Sequence, residues 1–95
     1  MNEPANTVAV INDLNDKTID VYPNPASNFF VVYNYVNEGR SMELYDLAGR
    51  LVKKQSVVNV ATRVAVNELP GGIYILKIAD AKNKVIRVEK IVVQR

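Results

Sequence analysis

Short runs of apolar residues alternate with polar residues along most of this chain, and turn-forming residues separate the runs about every ten positions. An alternation of period two places every second side chain on one face, which is the pattern of a half-buried β-strand. No segment shows a sustained helical period. The pattern therefore predicts an all-β domain, a small antiparallel sandwich of about seven strands. The strand candidates are 18–22, 29–36, 41–45, 50–54, 57–60, 62–66, 73–78 and 85–93.

The segment Leu69–Ile78 organises this interpretation. It opens with a Pro-Gly-Gly turn, in which proline fixes φ and glycine supplies a positive φ, so that the start of the next strand is well defined. After the turn, Tyr74, Leu76 and Ile78 fall on one face of the strand. A tyrosine two residues into a strand behind such a turn indicates the tyrosine corner of a Greek-key sandwich. We assign Gly71 to the turn and Tyr74 to the corner.

Two other turns show where strands must end. Pro23 and Pro25 lack backbone donors, so the chain cannot continue a sheet ladder there and has to turn. Asp46 and Gly49 occupy the first and fourth positions of a type I turn, where glycine provides the left-handed residue that closes a bulge. Between these turns, Phe29–Val36 is apolar on both faces except for one asparagine. That composition predicts a central strand whose second face is partly covered.

Composition narrows the classes of function. The 95 residues suffice for one domain, and a formal net charge of +2 gives no argument for nucleic-acid binding. The chain has neither cysteine nor histidine, which excludes thiol chemistry, disulfides and the usual general base. No Ser-x-x-Lys motif replaces them, and no apolar run is long enough to span a membrane. We expect no catalytic residues and no cofactor.

Residues 1–17 are predicted to be a polar linker ahead of a domain at 18–95. Their one apolar patch, Val8–Ile11, could pair with a sheet edge or remain loose. The cluster Asn12–Asp16 offers oxygen ligands. It lacks the ordered acidic spacing and the terminal glutamate of a calcium loop, so we interpret it as a solvated turn and expect no metal site.

The aromatic residues leave a binding function open. Five tyrosines and two phenylalanines could form a sugar-stacking platform, as in a glycan-binding or partner-binding module of the fibronectin or Ig type. Against this, Phe29, Tyr33 and Tyr35 lie within the strongest strand, and Tyr74 is explained by the corner. Core and corner roles are therefore favoured. An exposed aromatic cluster away from the core would discriminate in favour of the binding module.

The segment Val88–Arg95 contains the end of the last predicted strand, 85–93. If it lies at a sheet edge, a partner could bind it by β-augmentation, and a second copy could pair with it to form a homodimer. An ordinary closing strand of the sandwich is the simpler interpretation, and physical reasoning alone favours it.

Four segments together resemble one family, the C-terminal sorting domains (type A) of proteins exported by the type IX (Por) secretion system of Bacteroidetes. Val21–Ala26 is similar to the opening YPNPA motif, and Leu44–Val52 to the central LYDxxGRxV motif. Leu69–Ile78 is similar to the LxxGxYxLKI motif, and Glu89–Val93 to the terminal EKIVV. Each motif alone is mostly turn chemistry. All four in the family's order, over about residues 18–95, are specific.

The resemblance implies an Ig-like sandwich that serves as a C-terminal secretion signal on folded cargo. The implied partners are the type IX translocon with its outer-membrane shuttle protein, a sortase-like cysteine protease, and the N-terminal cargo domain of the same chain. The route would run through the periplasm and across the outer membrane to a secreted or cell-surface location. Cleavage by the protease would fall within or before residues 1–17.

The resemblance also divides the matched residues into two groups. Pro23, Pro25, Asp46, Gly49 and Gly71 shape the turns. Recognition by the translocon is expected from the last two motifs, at Gly72, Tyr74, Glu89, Lys90, Ile91, Val92 and Val93.

Overall fold

The computed structural model describes residues 16–95, which form seven β-strands in two sheets. One sheet has the order β1-β2-β5 and the other the order β4-β3-β6-β7, and all pairs of neighbouring strands are antiparallel. The predicted antiparallel Greek-key sandwich of about seven strands is confirmed. The strands are β1 (Ile19–Tyr22), β2 (Phe29–Asn34), β3 (Arg40–Asp46), β4 (Leu51–Val57), β5 (Ala61–Ala65), β6 (Gly72–Ala79) and β7 (Val85–Val93).

Every second residue of the central strands fills the space between the two sheets. Phe30 and Val32 of β2 are fully buried, as are Leu76 and Ile78 of β6. Each such side chain contributes about 2 kcal/mol through removal of its apolar surface from water. The period of two seen in the sequence therefore places the core. Its members are Ile19, Ala26, Phe30, Val32, Met42, Leu44, Val57, Val64, Val66, Tyr74, Leu76, Ile78, Ile91 and Val93.

The β3–β4 turn has the predicted geometry. The amide of Gly49 donates to the carbonyl of Asp46 at 3.0 Å, and Gly49 has a φ of 85°, which is costly for other residues. A bulge interrupts the β3–β4 ladder beside the turn. The carboxylate of Asp46 accepts the backbone N–H of Arg50 at 2.9 Å. That bond is the main cause that lowers the pKa of Asp46, and it holds the returning strand in place.

The predicted tyrosine corner is present at the start of β6. The ring of Tyr74 is buried, with 6% of its surface exposed, and its hydroxyl donates to the carbonyl of Pro70 at 2.7 Å. A buried phenol needs such a partner, because an unpaired hydroxyl away from water is unfavourable. The bond fixes the Pro-Gly-Gly turn against the strand that follows it.

The strand predicted at 57–60 is wrong. Strand β4 ends at Val57, and the next residues cross from the four-stranded sheet to the three-stranded one. Val58 and Val60 are 67% and 66% exposed. Within 58–60, the carbonyl of Val60 accepts the N–H of Asn34 at 2.8 Å and already belongs to the pairing of β2 with β5. Apolar composition alone could not show where the chain changes sheets.

The turn that contains Pro23 and Pro25 closes the outer edge of β7, which is the last strand of its sheet. The side-chain amide of Asn24 donates to the carbonyl of Lys90 at 2.6 Å and accepts the N–H of Val92 at 2.9 Å. The amide group of Asn24 thus takes the place of a backbone peptide in a neighbouring strand.

The backbone of the same turn continues this pairing. The N–H of Ala26 donates to the carbonyl of Val92, and the N–H of Gln94 donates to the carbonyl of Ala26, both at 2.8 Å. Ala26 itself is buried, so the turn is packed against the core. We call the four hydrogen bonds from Asn24 and Ala26 to this strand the edge clasp.

The end of β7 is held by Arg95. Its guanidinium donates to the main-chain carbonyls of Ser27, Val66 and Leu69, the last at 2.6 Å. These carbonyls belong to the β1–β2 and β5–β6 connections, so one side chain joins both loops to the last strand. Gly71 leaves room for it, because a Cβ there would lie 3.1 Å from Cγ of Arg95. We call this set of bonds the arginine anchor.

The predicted linker at 1–17, with its apolar patch Val8–Ile11, lies almost wholly outside the described residues, as does most of the cluster Asn12–Asp16. Within residues 16–95, no helix is long and apolar enough to cross a membrane. The same part of the chain holds no group of three or more acidic, histidine or cysteine residues that could bind a metal ion.

We expect the arginine anchor and Gly71 to be coupled in stability. Arg95→Ala should lower the free energy of unfolding by about 1–2 kcal/mol, because charge-assisted hydrogen bonds to three carbonyls are lost. Gly71→Ala should also destabilise the native chain, because its Cβ presses on the anchored side chain. In the Arg95→Ala background the same change should cost little. A double-mutant cycle from urea denaturation measures the coupling, and strictly additive effects would contradict it.

Candidate recognition site

The residues predicted to be recognised by the translocon fall into buried and outward-facing groups. Tyr74, Ile91 and Val93 are core residues, with at most 6% of their surface exposed. Lys90 and Val92 alternate with the buried residues of β7 and therefore face outward from the sandwich. In the folded domain, a partner can reach the outward group directly and the buried group only indirectly. Recognition itself stays a prediction.

Gly72 has a backbone role in the structure. Its φ is 155°, a conformation that residues with a side chain rarely adopt. It begins β6 directly after the turn and pairs with Val93 of β7. With no side chain to present, Gly72 serves the strand start rather than a contact surface.

Glu89 lies on the inner side of β7 and holds an arginine. Its carboxylate accepts a hydrogen bond from Nη2 of Arg87 at 2.8 Å. The side chain of Glu89 is 24% exposed and that of Arg87 is 13% exposed. Arg87 also donates through Nη1 to the carbonyls of Asp16, at 2.9 Å, and Ile19, at 2.5 Å. Glu89 therefore orients a guanidinium that ties β7 to the first strand of the opposite sheet. The Arg-x-Glu spacing, which puts both residues on one strand face, is the sequence signal for this pair.

An apolar surface crosses the outer face of the four-stranded sheet. Tyr45 of β3 lies opposite Leu51 of β4 and Ile75 of β6, and Ile73 of β6 lies opposite Val92 of β7. Leu51 and Ile73 are 45% and 40% exposed. We call these five residues the outer apolar patch. Its signal in the sequence is that Ile73 and Ile75 alternate with buried residues, so this strand is apolar on both faces.

Three lysines border the outer apolar patch. Lys54 and Lys77 flank Glu43 across the sheet, and Lys90 stands on β7. The ammonium of Lys77 lies 5.1 Å from the ring centre of Tyr45. Within residues 16–95, none of these lysines has a carboxylate within 4.0 Å. We call them the lysine rim. The one acidic group among them, Glu43, accepts the hydroxyl of Tyr45 at 2.7 Å.

The outer face of the three-stranded sheet carries a stack of tyrosines. The rings of Tyr22 and Tyr33 lie 4.7 Å apart at 23°, and those of Tyr33 and Tyr35 lie 6.2 Å apart at 15°. Tyr22 and Tyr35 are 50% and 53% exposed. Loss of solvent around its hydroxyl and a hydrogen bond to Asp20 raise the pKa of Tyr35 to about 12. We call these three rings the tyrosine stack.

The tyrosine stack corrects the core roles expected for Phe29, Tyr33 and Tyr35. The residues of β2 that point inward are Phe30, Val32 and Asn34. Asn34 is polar, and its buried side-chain amide donates a hydrogen bond to the carbonyl of Glu38 at 2.8 Å. Phe29, Tyr33 and Tyr35 therefore point outward. Phe29 lies under a guanidinium on this outer face, with the ring centre 4.0 Å from Cζ of Arg63.

The exposed aromatic cluster that would favour glycan binding is thus present, but its geometry suits packing better. Sugars bind to the open face of an aromatic ring, whereas Tyr33 stacks against rings on both neighbouring residues of the cluster. Open ring faces remain only at Tyr22 and Tyr35. Mutual stacking therefore accounts for both faces of Tyr33 and for one face each of Tyr22 and Tyr35.

The fold places the chain in the class of Ig-like β-sandwiches. Among solved structures, it is similar to a DUF3244 family protein with an immunoglobulin-like β-sandwich fold from Bacteroides vulgatus ATCC 8482. The TM-score is 0.69 at 13% sequence identity, over 81% of this chain and 85% of that one. At such low identity the likeness shows the fold alone, and it confirms the Ig-like prediction.

The model of one family, the secretion system C-terminal sorting domain, matches residues 20–94. The chain belongs to this family of type IX secretion sorting domains, and the resemblance carried by the four motifs is confirmed. It is therefore a C-terminal sorting signal of a secreted or cell-surface protein. A sorting signal is a non-catalytic kind of domain. No curated protein matches the chain.

We expect the tyrosine stack to stabilise the fold without binding sugars. Tyr33→Ala should lower the free energy of unfolding by about 1–3 kcal/mol, because it removes both stacking contacts and leaves its neighbours exposed. Chemical denaturation measures this loss. A glycan array probed with the wild-type chain should show no binding that depends on Tyr22 or Tyr35. A glycan that binds the wild type and is lost in Tyr22→Ala and Tyr35→Ala would contradict this and favour the binding module.

Proposed function

We propose that this domain directs a folded cargo domain, fused ahead of it in the same chain, from the periplasm through the type IX translocon. The observation that carries the proposal is the edge clasp, because it joins the first family motif to the last. Asn24 of the opening motif bonds to residues of the terminal motif that are 66 and 68 positions away. The motifs are therefore parts of one folded unit, and we infer that the translocon reads the terminal motif in its folded form.

The third motif supports the same interpretation. The carbonyl of Leu69 accepts the guanidinium of Arg95, and Gly71 provides the room for that side chain. The turn of Leu69–Ile78 thus holds the strand that carries the terminal motif. Folding and presentation of the signal depend on the same contacts.

We propose further that a sortase-like cysteine protease removes the domain by a cut ahead of Asp16. Proteases bind their substrates in an extended form, which requires a free backbone. The N–H of Asp16 donates to the carbonyl of Ile86 at 3.2 Å, and the chain pairs with β2 from Ile19 onward. The bond to be cut would then lie in the part of the 1–17 linker that precedes Asp16.

The partners we propose are the translocon, its outer-membrane shuttle protein, the protease and the cargo domain. A homodimer through β7 would have to displace the edge clasp, which already occupies the outward backbone groups of Lys90, Val92 and Gln94. Edge pairing by a second copy is therefore directed to another edge strand of the sandwich.

Export of a reporter tests the proposal. The full 95-residue chain is fused behind a signal-peptide-bearing reporter and expressed in a Bacteroidetes host and in an isogenic strain without the translocon. We expect surface or medium localisation in the first strain and periplasmic retention in the second. Phe30→Ala, which empties the core at a cost of about 3–5 kcal/mol, should also be retained. Mass spectrometry of the released reporter should locate the cut ahead of Asp16.

Equal release from the strain without the translocon would contradict the proposed route. A cut that falls after Asp16 would contradict the proposed cleavage region while leaving the sorting role intact. Deletion of residues 89–95 would test the proposal less well than these experiments. It deletes the arginine anchor and most of the β6–β7 ladder, so the loss of export would not separate the signal from the fold.

A further inference from the structure

We propose that the outer apolar patch and its lysine rim are the docking surface for the outer-membrane protein that receives the domain during export. This inference rests on the proposed function. The partner would present an apolar ridge bordered by carboxylates. The sequence motifs do not mark the outer apolar patch or the lysine rim, because the residues of these surfaces come from four different strands.

The apolar character of this face is the first argument. Tyr45, Ile75 and the exposed Leu51 and Ile73 form a continuous surface across the sheet. Contiguous apolar surface on a small domain commonly marks a site of interaction. Beside Tyr45 lies a shallow cavity of about 310 Å³, which a protruding side chain of a partner could fill. It is lined by Tyr45, Asp46, Leu47, Gly49, Ile75 and Lys77.

Charge is the second argument. The lysine rim contributes three ammonium groups and Glu43 one carboxylate, while Asp46, which lines the cavity, is paired with Arg50 at 3.1 Å. These six groups carry a formal charge of 4 − 2 = +2. On the opposite outer face, Asp20 lies opposite Tyr33 and Arg63 lies opposite Val31, so one negative and one positive charge cancel there. An excess of one sign around an apolar centre selects a partner of opposite sign and speeds its association. Carboxylates on the partner satisfy that requirement.

Exclusion of the other surfaces is the third argument. The outer edge of β7 is covered near its end by the edge clasp, and Tyr33 of the tyrosine stack has a neighbouring ring on each side. Lys90 and Val92 are the residues of the terminal motif that face outward, and both lie on this surface. A receptor that reads the terminal motif on the folded domain therefore meets the outer apolar patch.

Reversal of the lysine rim tests the inference in the reporter fusion. We expect surface delivery to fall about tenfold or more on charge reversal, since rim charges govern association with a charged partner. A matched variant reverses three exposed lysines elsewhere and should be delivered like the wild type. The test variant carries Lys54→Glu, Lys77→Glu and Lys90→Glu, and the control carries Lys17→Glu, Lys82→Glu and Lys84→Glu.

A second pair of variants tests the outer apolar patch. Ile73→Ser with Val92→Ser should reduce delivery, whereas Val58→Ser with Val60→Ser, in the exposed β4–β5 loop, should not. Thermal melting of each purified domain checks that it folds. If the charge reversal lowers the melting temperature, the same three lysines are replaced by glutamine instead. We expect delivery of this variant to fall below that of the wild type as well.

The outcomes separate this inference from the proposed function. Failure of the wild-type fusion to reach the surface overturns the proposed function and this inference with it. Delivery of the wild type together with folded, equally delivered lysine and Ile73/Val92 variants overturns the docking surface alone. Sedimentation with phosphatidylglycerol vesicles distinguishes a lipid partner. Binding there that requires the lysine rim would overturn the assignment to a protein.

Discussion

The structure depends on how the outer edge of its last strand is closed. An edge strand exposes a row of backbone donors and acceptors, which would otherwise attract other chains. Here Asn24 supplies a side-chain amide in the place of a peptide, and Ala26 adds its backbone, so β7 is paired on both sides near its end. Arg95 then fastens that end to loops of both sheets. The two prolines that stop the first strand thereby deliver Asn24 to a strand more than sixty residues away.

The residues of the family motifs have two kinds of role in this structure. Glu89 orients Arg87, Ile91 and Val93 fill the core, and Gly72 starts a strand, so most motif residues build the domain. Outward contact is left to Lys90 and Val92 and to their neighbours on the outer apolar patch. Under the function proposed above, the sorting signal is a property of the folded surface.

Sequence reasoning reached the strands, the turn at Asp46 and Gly49, and the tyrosine corner, because local periodicity and turn chemistry determine them. It could not choose which apolar face of β2 lies inside, since Phe29 and Tyr33 alternate with residues that are equally apolar. It also missed the roles of Asn24 and Arg95. Their hydrogen bonds go to backbone groups, which leave no mark on the partner's side-chain identity. The lysine rim could not be predicted from the sequence either, because the order of the strands in the sheet determines which residues are neighbours across it.

Native-state hydrogen exchange of the Val92 amide tests the central claim most directly. This N–H donates to Oδ1 of Asn24 rather than to β6. In Asn24→Ala, we predict that it exchanges about tenfold faster or more, relative to the amides that pair β7 with β6, because about 1–1.5 kcal/mol of hydrogen bonding is lost. Asn28→Ala, in the same turn, should leave it unchanged. Unaltered protection of Val92 in Asn24→Ala would contradict the claim that this side chain closes the edge.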